Sequence, residues 1–204
     1  MQTPNAIYAE SRAAWRQWLA DHHAIEKSVW LKLYKKNSST PSVTYDEAVD
    51  EALCFGWIDS SVKKGDDEYR LQFFAKRNPK SNWSRVNKNK VERLTQAGLM
   101  TEAGQAMIDL AKRTGTWAAL DDVENLINPP DLQAQLDVNP TAKSYFDAFP
   151  RSAKRGILEW LLNAKTAQTR AKRIMEIVTL AEQNKRANQY IPKSGETGGL
   201  SGKS

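Results

Sequence analysis

The spacing of apolar side chains along this chain changes period several times, and each change marks a predicted element. From about Asn5 to His23, Ile7, Ala14, Trp15, Trp18 and Leu19 recur at helical spacing among Glu10, Arg12, Arg16 and Gln17, which predicts an amphipathic helix. The period then falls to two: Val29, Leu31 and Leu33 alternate with Trp30, Lys32 and Tyr34, the pattern of a strand. After the turn-forming NSSTPS, Thr44 opens TYDE, where Glu47 three residues on completes a capping-box pattern. The helix so started carries Ala48, Val49, Ala52, Leu53 and Phe55 and stops at Gly56. WIDSSVKK and DDEYRLQFFAKR read as two more strands, turning at Gly65 and Asp66.

Beyond the sheet the chain turns helical. Asn78-Pro79 breaks the strand pattern, and Ser81 or Ser84 can cap a helix running to about Gln96 and ended by Gly98. Thr101 opens another, closed by Thr114-Gly115. Trp117 to Asn139 is acidic and irregular, with Pro129-Pro130 as a divider. Ser152 to Asn163 and Thr166 to about Lys185 follow as two helices, the second striped by Ile174, Ile177, Val178 and Ala181. The expected class is α+β: a small antiparallel sheet packed with helices, then a C-terminal helical pair. The segments expected are an α+β lobe over 1–115, an acidic linker over 116–140, a helical segment over 141–186 and a disordered Gly- and Ser-rich tail over 187–204.

Composition narrows the chemistry. The 204 residues suit one domain, or one with a helical appendage. A lone cysteine, Cys54, excludes an internal disulfide framework and a multi-thiolate zinc site. The two histidines, His22 and His23, are adjacent and so point apart on a helix. No metal and no cofactor are expected. The N-terminus lacks a basic start followed by an apolar run, and no stretch approaches the roughly 18 to 20 apolar residues of a membrane span. A cytoplasmic protein without membrane insertion is the expectation. Net charge is +6, and its distribution is uneven: basic residues gather from Lys63 to Arg93 and from Lys143 to Arg186, whereas Thr116 to Pro140 holds five acids and no Lys or Arg. That asymmetry invites an anionic partner, although a solvated surface accounts for it equally well.

Four groups of residues are candidates for function. Cys54 sits near the C-terminal end of its helix between Leu53 and Phe55, where the dipole disfavours a thiolate, so it reads as core. Trp57 and Asp59, two apart on an extended chain, can floor a ligand pocket with a ring and a carboxylate; packing on the sheet and a turn hydrogen bond would explain them too. AKRNPKSNWSRVNK joins Arg77 and Lys80 to a helix start marked by Ser81 and Ser84, with Trp83 between. Free N–H groups beside cations make an anion site, in which Arg77 grips and Trp83 stacks on a ring. The opposing reading has Trp83 stapling the helix while the cations are solvated. The C-terminal basic residues Lys154, Arg155, Lys165, Arg170, Lys172 and Arg173 allow nucleic acid or an acidic protein as an alternative partner. A further alternative is an enzyme with Asp59 as general base, for which the sequence places no second catalytic group.

WLADHH, VWLKLYKK, SVTYDEAVDEALCFGWIDS and FFAKRNPKSNWSRVNK together resemble the YdeI/OmpD-associated family of bacterial proteins, also labelled bacteriocin-protection. YFDAFPRSAKRGILEWLLNAKTAQTRAKRIMEIV is similar to that family's C-terminal helical part. The resemblance runs from about Ser11 to Arg186. It implies a link to stress and antimicrobial resistance and brings no reaction or cofactor with it. Its matching positions include Glu51, Cys54, Gly56, Trp57, Asp59, Arg77, Pro79, Ser81, Trp83, Ser84 and Asn87. The function expected on all these grounds is a protective protein holding a small anionic or aromatic ligand in a cleft lined by Trp57, Asp59, Arg77, Lys80, Ser81, Trp83 and Ser84.

Overall fold

A computed structural model describes residues 6–188, which divide after Leu120 into two compact units. The tail expected to be disordered falls almost wholly outside the described residues.

The first unit is α+β. Strands β1 (Ala6–Tyr8), β2 (Ser28–Tyr34), β3 (Trp57–Lys64) and β4 (Tyr69–Lys76) form one four-stranded sheet in the order β1-β2-β4-β3. β2, β4 and β3 are antiparallel as the alternation predicts, but β1 joins β2 in parallel, so the sheet is mixed. β1 falls inside the span expected to be helical. Three residues are too few to show a period, and Ser11 then starts helix α1 (Arg12–His22) by accepting the Ala14 amide. The β3–β4 register slips between Asp59 and Val62, a bulge on an edge strand.

Helix α2 (Tyr45–Cys54) begins with the predicted box: the Thr44 hydroxyl accepts from Glu47 N, and the Glu47 carboxylate accepts from Thr44 N. Helices α3 (Arg85–Gln96) and α4 (Glu102–Thr114) complete the unit. Its core gathers Trp15 and Leu19 of α1, Leu31 and Leu33 of β2, Ala48, Ala52 and Leu53 of α2, Phe74 of β4 and Leu94 of α3. α2 is buried along its whole last half, including two adjacent carboxylates. Glu51, 1% exposed, accepts from Arg12 Nε and Arg16 Nη1, both at 2.5 Å. Asp50 accepts from Lys90 and Arg93 of α3. Burial alone would raise the Asp50 carboxyl, but the two cations outweigh it and hold it below its ordinary value.

Among its described residues the second unit is helical: α5 (Asp121–Glu124), α6 (Pro130–Asp137), α7 (Pro140–Ala148), α8 (Arg151–Leu162) and α9 (Ala167–Glu182). The stretch expected as an irregular linker over 116–140 thus holds α5 and α6, and more than a helical pair follows. Pro130 and Pro140 each sit in the first turn of a helix, where the missing N–H costs nothing, so they start helices rather than divide lobes. Leu132 and Leu136 of α6, Phe146 of α7, Ile157 and Leu161 of α8 and Ile177 of α9 are buried in this unit.

Candidate functional site

The turn from α2 into β3 builds the candidate site. Phe55 ends α2, and Gly56 at φ +73° reverses the chain into Trp57. A Cβ at Gly56 would stand 2.9 Å from Met107 Cγ and 3.1 Å from the Ala103 carbonyl, so glycine permits both the left-handed backbone and the approach of α4. Gly104, within α4, allows the close approach from the other side: a Cβ there would meet the Cys54 carbonyl oxygen at 2.3 Å. That oxygen accepts from both Thr101 Oγ1, at 2.6 Å, and Thr101 N, at 3.2 Å, which fixes the start of α4 on the end of α2.

Between this junction, the end of α1 and the end of β4 lies a cavity of about 500 Å³, lined by His23, Phe55, Trp57, Arg77, Pro79 and Met107 among others. Its walls are mainly apolar. Trp57 is buried, edge-on to Trp18, and its Nε1 donates to the His23 carbonyl at 3.4 Å. The His23 ring sits 5.1 Å from Phe55, and its Nδ1 donates to the Leu19 carbonyl, which leaves Nε2 as the acceptor of the neutral ring. The Lys76 ammonium donates to the Ala24 carbonyl at 2.8 Å.

Arg77 is the unusual residue of this wall. Its side chain belongs to a residue only 5% exposed, and its guanidinium lies 3.7 Å from the centre of the Trp83 ring. Nη2 donates to the Asn82 carbonyl at 2.6 Å, while the buried Nε and Nη1 have no protein partner. No carboxylate pairs with it in the first unit's described ion pairs. Burial pushes the guanidinium down to about 10. A buried cation with two unsatisfied donors is costly unless an anion or acceptor reaches it.

Of the residues expected to share a cleft, the structure brings Trp57 and Arg77 into one wall. Trp83 packs directly behind Arg77, and Asp59, Lys80, Ser81 and Ser84 are not among the residues that line the cavity. Asp59 accepts from the Tyr45 hydroxyl at 2.8 Å and from Gln72 Nε2 at 3.5 Å, further along β3 and outside the cavity lining. Burial and that bond to Asp59 push the Tyr45 phenol up to about 12. Lys80 and Ser81 belong to the Asn78-Pro79 turn, where Ser81 Oγ donates to the Asn78 carbonyl. Trp83, 2% exposed, packs between Arg77 and Trp117. Ser84 caps α3 by accepting from the backbone N–H of Asn87. Arg77 thus packs on the residue that precedes the cap of α3. His23 and Met107 were missed because each sits on another element with no local signal. The buried Asp50-Glu51 pair was legible in principle: two acids inside an apolar run, with cations at i, i+4 in α1 and i, i+3 in α3.

Several basic C-terminal residues face acids of their own unit. Arg155 donates to Glu124 and Glu159, Arg170 grips Asp131 through two bonds, and Lys143 pairs with Asp137. Lys154 donates to the Asp147 carbonyl, and Arg173 lies 4.7 Å over the Trp160 ring. The acidic stretch and the basic helices are complementary halves of one unit, which accounts for much of the charge asymmetry.

Fold and site define an α+β unit with a cation-bearing apolar cavity, followed by a helical unit. Within the helical unit, residues 125–184 match the family described as Bacteriocin-protection, YdeI or OmpD-Associated. Residues 7–107 match a Domain of unknown function (DUF8412), and CFGWIDS and WS-x-x-N lie in that stretch. No curated protein and no solved structure matches the chain. Among the described residues, no helix is long and apolar enough to cross a membrane.

Proposed function

We propose that the first unit is a binding module for a small ligand with an anionic group and an apolar or aromatic body, held in the cavity beside Arg77. One observation carries this reading: a buried guanidinium whose Nε and Nη1 lack partners lines a cavity large enough for such a molecule. A carboxylate or phosphate would supply the acceptors, and Trp57 and Phe55 an apolar wall. The description of the family that residues 125–184 match adds a protective role to the same proposal, which further takes the protein to be cytoplasmic. Asp59 acts there as a partner of Tyr45 rather than as a wall of the site.

A thermal-melt screen against nucleotides, sugar phosphates, dicarboxylates and aromatic carboxylates tests the proposal. A ligand at about 100 times its Kd stabilises by about 2.7 kcal/mol, or roughly 5 to 10 °C for a protein of this length. Arg77→Met keeps the buried stem and removes the donors, so it should fold and lose the response. A response of equal size in Arg77→Met, or none to any of these ligands, would overturn the reading.

A further inference from the structure

The sheet has a second face, and it differs in kind from the one under the helices. Register partners on neighbouring strands share a face, and alternate residues along a strand share one too. Leu31, Leu33 and Phe74 point to the core of α1 and α2. The opposite face therefore carries Trp30 beside Phe73, then Lys32 beside Leu71 beside Lys63, then Tyr34 beside Tyr69, with Tyr8 of β1 next to Lys32.

These residues make a layer of their own. Trp30, Phe73, Tyr34 and Tyr69 are partly exposed, and Tyr8 is exposed. Trp30 and Phe73 rings stand 4.9 Å apart, Tyr34 and Tyr69 5.4 Å, Tyr8 and Tyr34 5.6 Å. Lys63 Nζ lies 4.7 Å over the Trp30 ring, and Lys32 Nζ 5.2 Å over the Tyr69 ring. Leu71 is 1% exposed yet lies outside the core shared with the helices, so the side chains of its own face cover it. No acid occupies any of these strand positions; Asp66, Asp67 and Glu68 stand beyond them in the β3–β4 turn.

We propose that this face binds single-stranded nucleic acid, with bases stacked on Trp30, Phe73 and the tyrosines and phosphates drawn to Lys32 and Lys63. Rings set between lysines on an open sheet match a ligand that alternates aromatic faces with negative charge. Two of the rings, Trp30 and Tyr69, now lie under a lysine, and a base and phosphate would take the places of both partners. A duplex hides its base faces, and this face offers no helix to enter a groove, so single strands are preferred. The proposal is independent of the Arg77 cavity.

Fluorescence anisotropy of the full chain with labelled dodecamers of thymidine and of mixed-sequence RNA tests it. Binding should appear at low salt and weaken as salt rises. Trp30→Ala should weaken it about tenfold, the loss of one stacked base. Lys32→Glu with Lys63→Glu should abolish it, while Lys172→Glu in the second unit leaves it unchanged. Melting curves of each variant confirm that the fold survives. Absence of binding at about 100 μM protein, the weak end of non-specific affinity, would overturn the proposal. So would binding that persists in the double glutamate variant, loss in Lys172→Glu alone, or equal competition by polyglutamate, which would mark an acidic polypeptide as the occupant.

Discussion

Cys54 and Arg77 show how burial decides the character of a side chain. The thiol is fully buried, and desolvation pushes it up to about 11 from an ordinary 9.0. A raised acid favours its neutral form in the fold, so its contribution to stability is complete below pH 9 and lost as pH climbs toward 11. At pH 8 iodoacetamide should leave native Cys54 unmodified over hours and label it fully in denaturant; rapid native labelling would contradict its placement. This much was legible, since Leu53 and Phe55 flank the thiol with core types. Arg77 was legible only as a cation beside a helix start. What the alternation of one strand cannot reveal is that the guanidinium is buried against the Trp83 ring.

The joint between α2 and α4 rests on two glycines that face each other across a backbone contact. Gly104→Ala would drive a methyl into the Cys54 carbonyl, and its cost should be about 2 kcal/mol, with the loss read as a lower midpoint in urea at unchanged slope. A variant as stable as the parent would mean that α4 slides freely on α2. Among the elements, long periodic ones were plain from sequence: α1, β2, α2, β4, α9. The short ones were not. β1 has three residues and takes its conformation from its neighbour β2, and α6 and α7 are announced by prolines that also mark breaks. A proline opens a helix or closes one, and the apolar Leu132 and Leu136 one turn apart are what decide for opening.

Each unit carries its own buried core, and in the second the acids of α5 and α6 answer the bases of α8 and α9. Such a unit has what independent folding requires. A fragment of residues 121–188 should give a helical spectrum and a cooperative melt; a gradual, salt-insensitive loss of helix would show that its core is incomplete alone. Charge in the sequence pointed outward to a partner because a linear reading cannot pair Asp131 with Arg170 across 39 positions. The α+β class was recoverable because it depends on period, whereas the pairing of charges depends on topology.

The bulged edge strand β3 has a bearing on solubility. A sheet edge offers unpaired backbone groups to any other edge it meets, and chains that leave it flat and apolar associate through it. Here the bulge after Asp59 breaks the ladder, and Lys63 and Lys64 place like charges where a second copy would have to dock. Any replacement at Lys63 therefore acts on self-association as well as on the ring beneath it. Glutamate keeps a charge at the edge and leaves that guard standing, whereas valine or alanine would lift it, and the protein would be expected to cloud on concentration before any ligand was added.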